Sequence, residues 1–205
     1  MKGAVMAEHA ADVRELADEA IADPEKLAAL AEDISVGTRR ARQNAATVLT
    51  VVAKTDPALL KPHIATLVDA LNRPEAQTRW ECLDALTIMV ELDSRQCEKG
   101  IDEAETSLFD ETSGPVRLSA MRFLCKIGAT TPHRSKKVWP MIDEAIQCHH
   151  GDYEFGDLMA ALVDFSAGKL DDSVKEELGQ RMSFDAENSK GALKKRAVQI
   201  VENVK

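Results

Sequence analysis

Apolar residues recur along the chain in helical quartets at i, i+3, i+4 and i+7, and the quartets themselves recur. They are Ala45, Val48, Leu49, Val52; Cys82, Ala85, Leu86, Met89; Ala120, Phe123, Leu124, Ile127; Leu158, Ala161, Leu162, Phe165; and Ala197, Ile200, Val201, Val204. Their first members are 37, 38, 38 and 39 residues apart. Between them runs a second series: Leu27, Leu30, Ile34; Ile64, Leu67, Leu71; Ile101, Ala104, Leu108; Trp139, Ile142, Ile146; and, less regularly, Val174, Leu178, Met182. Each period therefore holds two amphipathic helices with one apolar stripe apiece. No alternating apolar run bounded by turns reads as a strand.

The breaks between stripes carry turn chemistry. Pro24, Pro57, Pro62 and Pro115 stand near helix starts, where a missing N–H costs little, and "SVG", "NRPEAQ", "ETSG", "HHGD" and "DAENSKG" fall between helices. A helix pair of this size cannot bury its stripe alone, so neighbours must stack. The expected fold is all-α: a right-handed α-solenoid of about five helix pairs with a period of about 38 residues. A single domain is expected over 1–205, with repeats at 24–53, 57–92, 94–128, 134–166 and 171–205. Residues 1–23 supply an N-terminal capping helix, acidic and centred on 4–22.

At "VRLSAMRFLCKIG", residues 116–128, the pattern resembles the second helix of a HEAT repeat, an armadillo-like unit. "ARQNAATVLTVVA" at 41–53 and "TRWECLDALTIMV" at 78–90 fit with small changes. "EFGDLMAALVDFS" at 154–166 departs by placing Phe155 in the arginine slot, and "LKKRAVQIVENVK" at 193–205 has Lys194 there. The resemblance covers nearly all of the chain after residue 24 and speaks to architecture more than to function.

Once per repeat a basic residue recurs, as Arg42, Arg79, Arg117 and Lys194, and each is preceded by Asp33, Asn72, Asp110 or Asp185. Where Phe155 replaces the base, Cys148 replaces the partner. Joint loss of both members is what a hydrogen-bonded pair predicts, because one charge left half-buried and alone is costly. In HEAT-like repeats such pairs staple neighbouring turns, so these eight residues are expected to be structural.

Helical geometry puts Trp80, Asp84, Thr87 and Glu91 opposite the buried stripe of their helix. In a HEAT solenoid the second helices line the concave face. The equivalent outward positions are Gln43, Thr47, Thr50; Leu118, Arg122, Cys125; Gly156, Ala160, Val163; and Lys195, Gln199, Glu202. Trp139 differs from Trp80 in occupying the Ile64 and Ile101 slot of the first-helix stripe, which predicts a core position. An outward tryptophan on such a surface is a binding anchor. The expected function is a non-enzymatic interaction or scaffold module holding a protein or peptide on that face. Trp80, Glu81, Asp84, Thr87 and Arg122 would make the contact, and Glu81, Asp84, Asp157 and Asp164 would favour a basic partner.

An enzyme reading stands beside it. Trp80 and Asp84 one turn apart, with Arg122 on the next repeat, resemble the set in HEAT-like alkylpurine DNA glycosylases. That resemblance implies a carboxylate stabilising an oxocarbenium-like sugar, an indole packed on deoxyribose and a guanidinium on phosphate. The chain departs from it at Gly156, Ala160 and Val163, none of which supplies a second groove aromatic, and Glu81, Asp157 and Asp164 would repel DNA.

Charge and composition narrow the field further. Formal net charge is −9. Residues 1–35 hold nine Asp/Glu against three Lys/Arg, whereas 173–205 hold seven basic against five acidic. A general nucleic-acid surface is disfavoured. Cys82, Cys97, Cys125 and Cys148 form no C-x-x-C pair, which suits a reducing cytoplasm. "MKGAVMAEHAADVRELADEA" lacks the unbroken apolar run of a signal peptide, and no stretch is long enough for a membrane span. The His-Glu pairs of di-iron HEAT hydroxylases are missing at His9, His63, His133, His149 and His150, and phosphate-loop and G-x-S-x-G motifs are missing too. "QCHHGD" at 147–152 gathers Cys148, His149, His150 and Asp152, but it reads as a polar turn and no metal or cofactor is expected. The last helix carries a wide apolar face of Ala197, Val198, Ile200, Val201 and Val204, expected to serve self-association. The arginine ladder gives a direct test: Arg117→Ala is expected to lower the melting temperature, and unchanged melting would refute a structural role.

Overall fold

A computed structural model describes the backbone of residues 2–205 and the side chains of 11–205. His9 lies outside the described side chains. The described chain is helical throughout with no strand, and it divides into two compact units, Met1–Glu103 and Ala104–Lys205.

In the first unit, α1 (Lys2–Ala22) packs on α2 (Pro24–Val36) and α3 (Arg39–Thr55) through Val13, Ala17 and Ala20. The α2–α3 pair is the first repeat. Asp23 caps α2 by accepting from the Glu25 N–H, and Thr38 caps α3 by accepting from the Ala41 N–H. Gly37 ends α2 where a side chain cannot fit, since a Cβ there would lie 2.5 Å from the Asp33 carbonyl oxygen. In the second repeat the first helix is broken. A 3-10 stretch (Pro57–His63), a short α4 (Ile64–Asp69) and a 3-10 turn (Ala70–Asn72) replace one continuous helix. Pro57 starts this segment as expected, but Pro62 sits inside it, and a proline there removes an N–H that a regular α-helix would use. Its partner α5 (Ala76–Cys97) is kinked at Asp93, whose φ of −153° and ψ of 74° are non-helical.

The second unit takes over inside α6 (Ile101–Leu108), and α7 (Gly114–Gly128) follows. The next pairs are α8 (Pro132–Cys148) with α9 (Phe155–Ser166), and α10 (Asp172–Asn188) with α11 (Gly191–Asn203). α10 runs through most of "DAENSKG", leaving only Ser189 and Lys190 as the turn. Helices α9 and α11 pack together, as do α7 and α9. The two apolar series form the core. Every residue of the second-helix quartets is buried except Val201 and Val204, and every first-series residue except Leu30. Ala197 and Ile200, the centre of the α11 stripe, are fully covered where α11 meets α9 and α10, while Val198, Val201 and Val204 are half-buried.

Three of the ladder's basic residues, Arg42, Arg117 and Lys194, bond to acceptors other than those the spacing suggested. Arg42 donates from Nη1 to the Gly37 carbonyl at 2.8 Å, and from Nε (3.4 Å) and Nη2 to the carboxylate of Glu75 at the start of α5. Asp33 is exposed instead. Arg117 repeats two of these three contacts: Nη1 donates to the Asp110 carbonyl at 2.8 Å and Nη2 to Glu154 at the start of α9, while its buried Nε has no partner among the described residues. Each guanidinium thus reaches back to its own inter-helix loop and forward to the next second helix. Gly114 is needed for the forward arm, because a Cβ there would lie 2.6 Å from Glu154 Oε1. Phe155, in the basic slot of the next repeat, is buried beside Glu154. In the last repeat Lys194 Nζ donates to the Glu187 carbonyl at 3.0 Å, whereas Asp185 accepts from the Ser189 hydroxyl at 2.6 Å. A backbone carbonyl serves as acceptor where a side chain was expected, because the loop turns its C=O groups toward the incoming cation.

The bond from Arg42 holds the Glu75 carboxyl below the usual glutamate range, against the opposing effect of burial. A depressed carboxylate contributes stability that is complete above its unfolded value, about pH 4.3, and is lost as pH falls through the lower folded value. Glu75→Gln is therefore expected to cost about 2 kcal/mol near neutral pH, the worth of a charge-assisted hydrogen bond. The melting gap from wild type should narrow below about pH 4. A gap independent of pH would show that the charge of Glu75 is not what stabilises the contact.

Candidate partner-binding face

In the first unit the second helices α3 and α5 lie side by side. Threonines and amides of α3 meet α5 in a small polar network. Gln77 Nε2 donates to Thr47 Oγ1 at 3.0 Å, and that hydroxyl has two acceptors in reach, the Gln43 carbonyl at 3.1 Å and Glu81 Oε1 at 3.2 Å. Thr50 Oγ1 lies 2.8 Å from the Glu81 carbonyl and 3.0 Å from the Ala46 carbonyl. Thr50, expected to face outward, is consequently buried at the α3–α5 contact. Cys125 on α7 is buried in the same register, so the last of the three expected surface positions turns into a helix contact in both repeats.

On α5 the expected face divides by what each side chain already does. Glu81 is half-buried and engaged with Thr47, and the Thr87 hydroxyl donates to the Leu83 carbonyl at 2.7 Å within its own helix. Trp80 and Asp84 are half-exposed and make no hydrogen bond or ion pair among the described residues. One helical turn separates them, so the indole and the carboxylate share one arc of the helix. Arg122 belongs to the second unit and is exposed on α7, as are Asp157 on α9, Asp164 near its end, and Lys195, Gln199 and Glu202 on α11.

The two tryptophans separate as their slots required. Trp139 is 5% exposed, stacks on Phe165 with ring centroids 6.5 Å apart, and donates from Nε1 to Glu177 Oε2 at 2.6 Å. Glu177 stands 38 residues further on, one period away. Arg181 grips Asp143 across the same interval, with Nε–Oδ1 at 2.6 Å and Nη2–Oδ2 at 2.9 Å. Complementary polar residues one period apart mark inter-repeat pairs, as Glu154 does at 37 residues from Arg117, whereas Glu75 stands only 33 residues from Arg42.

Of the four cysteines, Cys82, Cys97 and Cys125 are buried and Cys148 is exposed. Burial pushes the thiols of Cys82 and Cys125 upward and leaves both covered by the core, which denies them thiolate reactivity. Among the described residues no helix is long and apolar enough to cross a membrane.

No family model matches the chain, and no curated protein does. Solved structures match it over 94% of its length. An engineered protein superposes with a TM-score of 0.76 at 16% identity, covering 88% of that chain. A designed armadillo repeat protein solved in complex with the peptide (KR)4 gives 0.74 at 13%, covering 91% of that chain. A computationally designed armadillo repeat protein for modular peptide recognition gives 0.74 at 14%, covering 92%. At such identities the likeness establishes the fold: an all-α solenoid of the armadillo and HEAT kind. It adds nothing to the glycosylase resemblance.

The contrast between the tryptophans is measurable. Trp139→Ala should destabilise by about 3–5 kcal/mol through its cavity, whereas Trp80→Ala should change stability by less than about 1 kcal/mol. Chemical denaturation of the two variants checks this, and equal losses would place Trp80 in the core.

Proposed function

We propose that this protein is a non-enzymatic scaffold that holds a protein or peptide segment against its second helices, with Trp80 as the anchor and Asp84 receiving a basic side chain. The observation that carries the reading is the pairing of a half-exposed indole and an unengaged carboxylate on α5, whose neighbouring polar groups are already bonded. An exposed aromatic of low conformational freedom gives a partner large contact area, and a nearby carboxylate adds charge-assisted bonding to Lys or Arg. The acidic balance of the chain, −9, favours a cationic partner at long range. Armadillo-type structures built for peptide recognition, one of them holding a (KR)4 peptide, are consistent with this use of the fold. Glu81 and Thr87 belong to the proposed contact in lesser roles, as residues flanking the Trp80 and Asp84 pair on α5.

Because Trp139 is buried, a ligand-induced change in tryptophan fluorescence reports on Trp80. Titration with a Lys/Arg-rich peptide is expected to quench or shift that signal, with affinity falling as salt rises. Trp80→Ala and Asp84→Asn should each weaken binding about tenfold or more. A pull-down whose partners are the same for wild type and Trp80→Ala would remove Trp80 as the anchor. Binding to duplex DNA in preference to peptide would overturn the scaffold reading.

A further inference from the structure

The turn from α8 to α9, "HHGDYE" at residues 149–154, takes no part in the proposed contact. It is a folded turn. Gly151 takes a φ of 97°, a region that favours glycine. The Asp152 N–H donates to the His149 carbonyl at 3.0 Å and the Phe155 N–H to the Asp152 carbonyl at 3.1 Å. The His149 side chain is turned inward, 12% exposed, with its ring 6.2 Å from that of Phe109.

Both ring nitrogens of His149 face acceptors. Nε2 lies 3.1 Å from the Leu108 carbonyl at the end of α6, and Nδ1 lies 3.1 Å from Asp152 Oδ2. A carbonyl oxygen and an ionised carboxylate only accept, and a neutral imidazole has one N–H and one lone pair. The full set of bonds therefore exists only for the doubly protonated ring. A neutral ring must aim its lone pair at one of the two oxygens and lose that contact.

The charged groups around the ring come from each neighbouring element. Asp152 is on the turn itself. Arg117 of α7 approaches Asp152 Oδ2 at 3.8 Å, while its close bonds go to Glu154 and the Asp110 carbonyl. The adjacent His150 faces α10, with Nε2 3.8 Å from Asp185 Oδ1 and its ring 4.8 Å from Phe155. The two carboxylates, Asp152 and Glu154, offset the positive charge of Arg117 near the ring.

We infer that His149 is a proton-operated latch: as an imidazolium it ties the α8–α9 turn to the end of α6, and on losing a proton it lets the turn open. The turn also carries Glu154, which clasps Arg117, so release is transmitted to the contact between α7 and α9.

Amide hydrogen exchange of Asp152 and Phe155 in the full chain, corrected for intrinsic pH dependence, tests the latch. Between about pH 5.5 and about pH 8, either side of the ordinary imidazole range, opening of these amides is expected to rise about tenfold, the loss of one charge-assisted bond. Asp152→Asn places an N–H donor opposite Nδ1 and satisfies a neutral ring, so its protection should be the same at both pH values. His150→Asn should keep the wild-type response. Equal protection of the wild type at the two pH values overturns the inference. So does an Asp152→Asn variant that responds like wild type, or a response that disappears with His150.

Discussion

The clasp between an arginine near the start of one second helix and a glutamate at the start of the next is what the repeat packing turns on. Arg42 with Glu75, and Arg117 with Glu154, are each part-buried, and each guanidinium also takes a carbonyl from its own loop. A charge in that setting needs hydrogen-bonded partners, and both guanidinium groups have them, although the buried Nε of Arg117 has none among the described residues. The clasp therefore fixes three things together: the shape of the loop whose carbonyl it donates to, the rotation of its own helix, and the distance to the following one. Hydrophobic stripes bring helices together without specifying register, whereas a two-armed guanidinium has one geometry. Small residues follow from it, as at Gly114, where the space of a methyl group is occupied by the Glu154 carboxylate.

That division of labour leaves α5 with an unequal surface. Gln77 and Glu81 hold α5 against α3 through Thr47, and Thr87 bonds within the helix, while Trp80 and Asp84 beside them present unengaged groups. The comparison with Trp139 shows why this matters. Trp139 has every feature of a core residue, with a ring stacked on Phe165 and an indole N–H bonded to Glu177. Trp80 has neither, although the two are equally large and equally apolar.

Helix pairing and the buried stripes were legible in the sequence because both rest on periodicity, which a single chain displays in full. Trp139 was legible for the same reason, since its slot in the stripe determined its burial. The partners of Arg42 and Arg117 were not. One arm ends on a backbone carbonyl, which has no sequence signature, and the other on Glu75 or Glu154, at separations that the loops vary. Thr50 and Cys125 were misplaced because a helical wheel tells inside from outside but does not tell where a neighbouring helix will touch the flank. The broken first helix of the second repeat follows from Pro57 and Pro62 acting together, and the extension of α10 to Asn188 shows polar turn formers yielding to helix when the loop allows it.

The polar bonds between repeats named above each span about one period: Arg42 to Glu75, Asp143 to Arg181, Trp139 to Glu177 and His149 to Leu108. Their span along the chain is set by the repeat and not by the number of repeats. For folding this means that loop-closure entropy does not grow as the array lengthens, because each new pair closes only on its neighbour. A nucleus can form at any repeat and propagate in both directions, with each Arg–Glu clasp reporting that the next unit has docked in register.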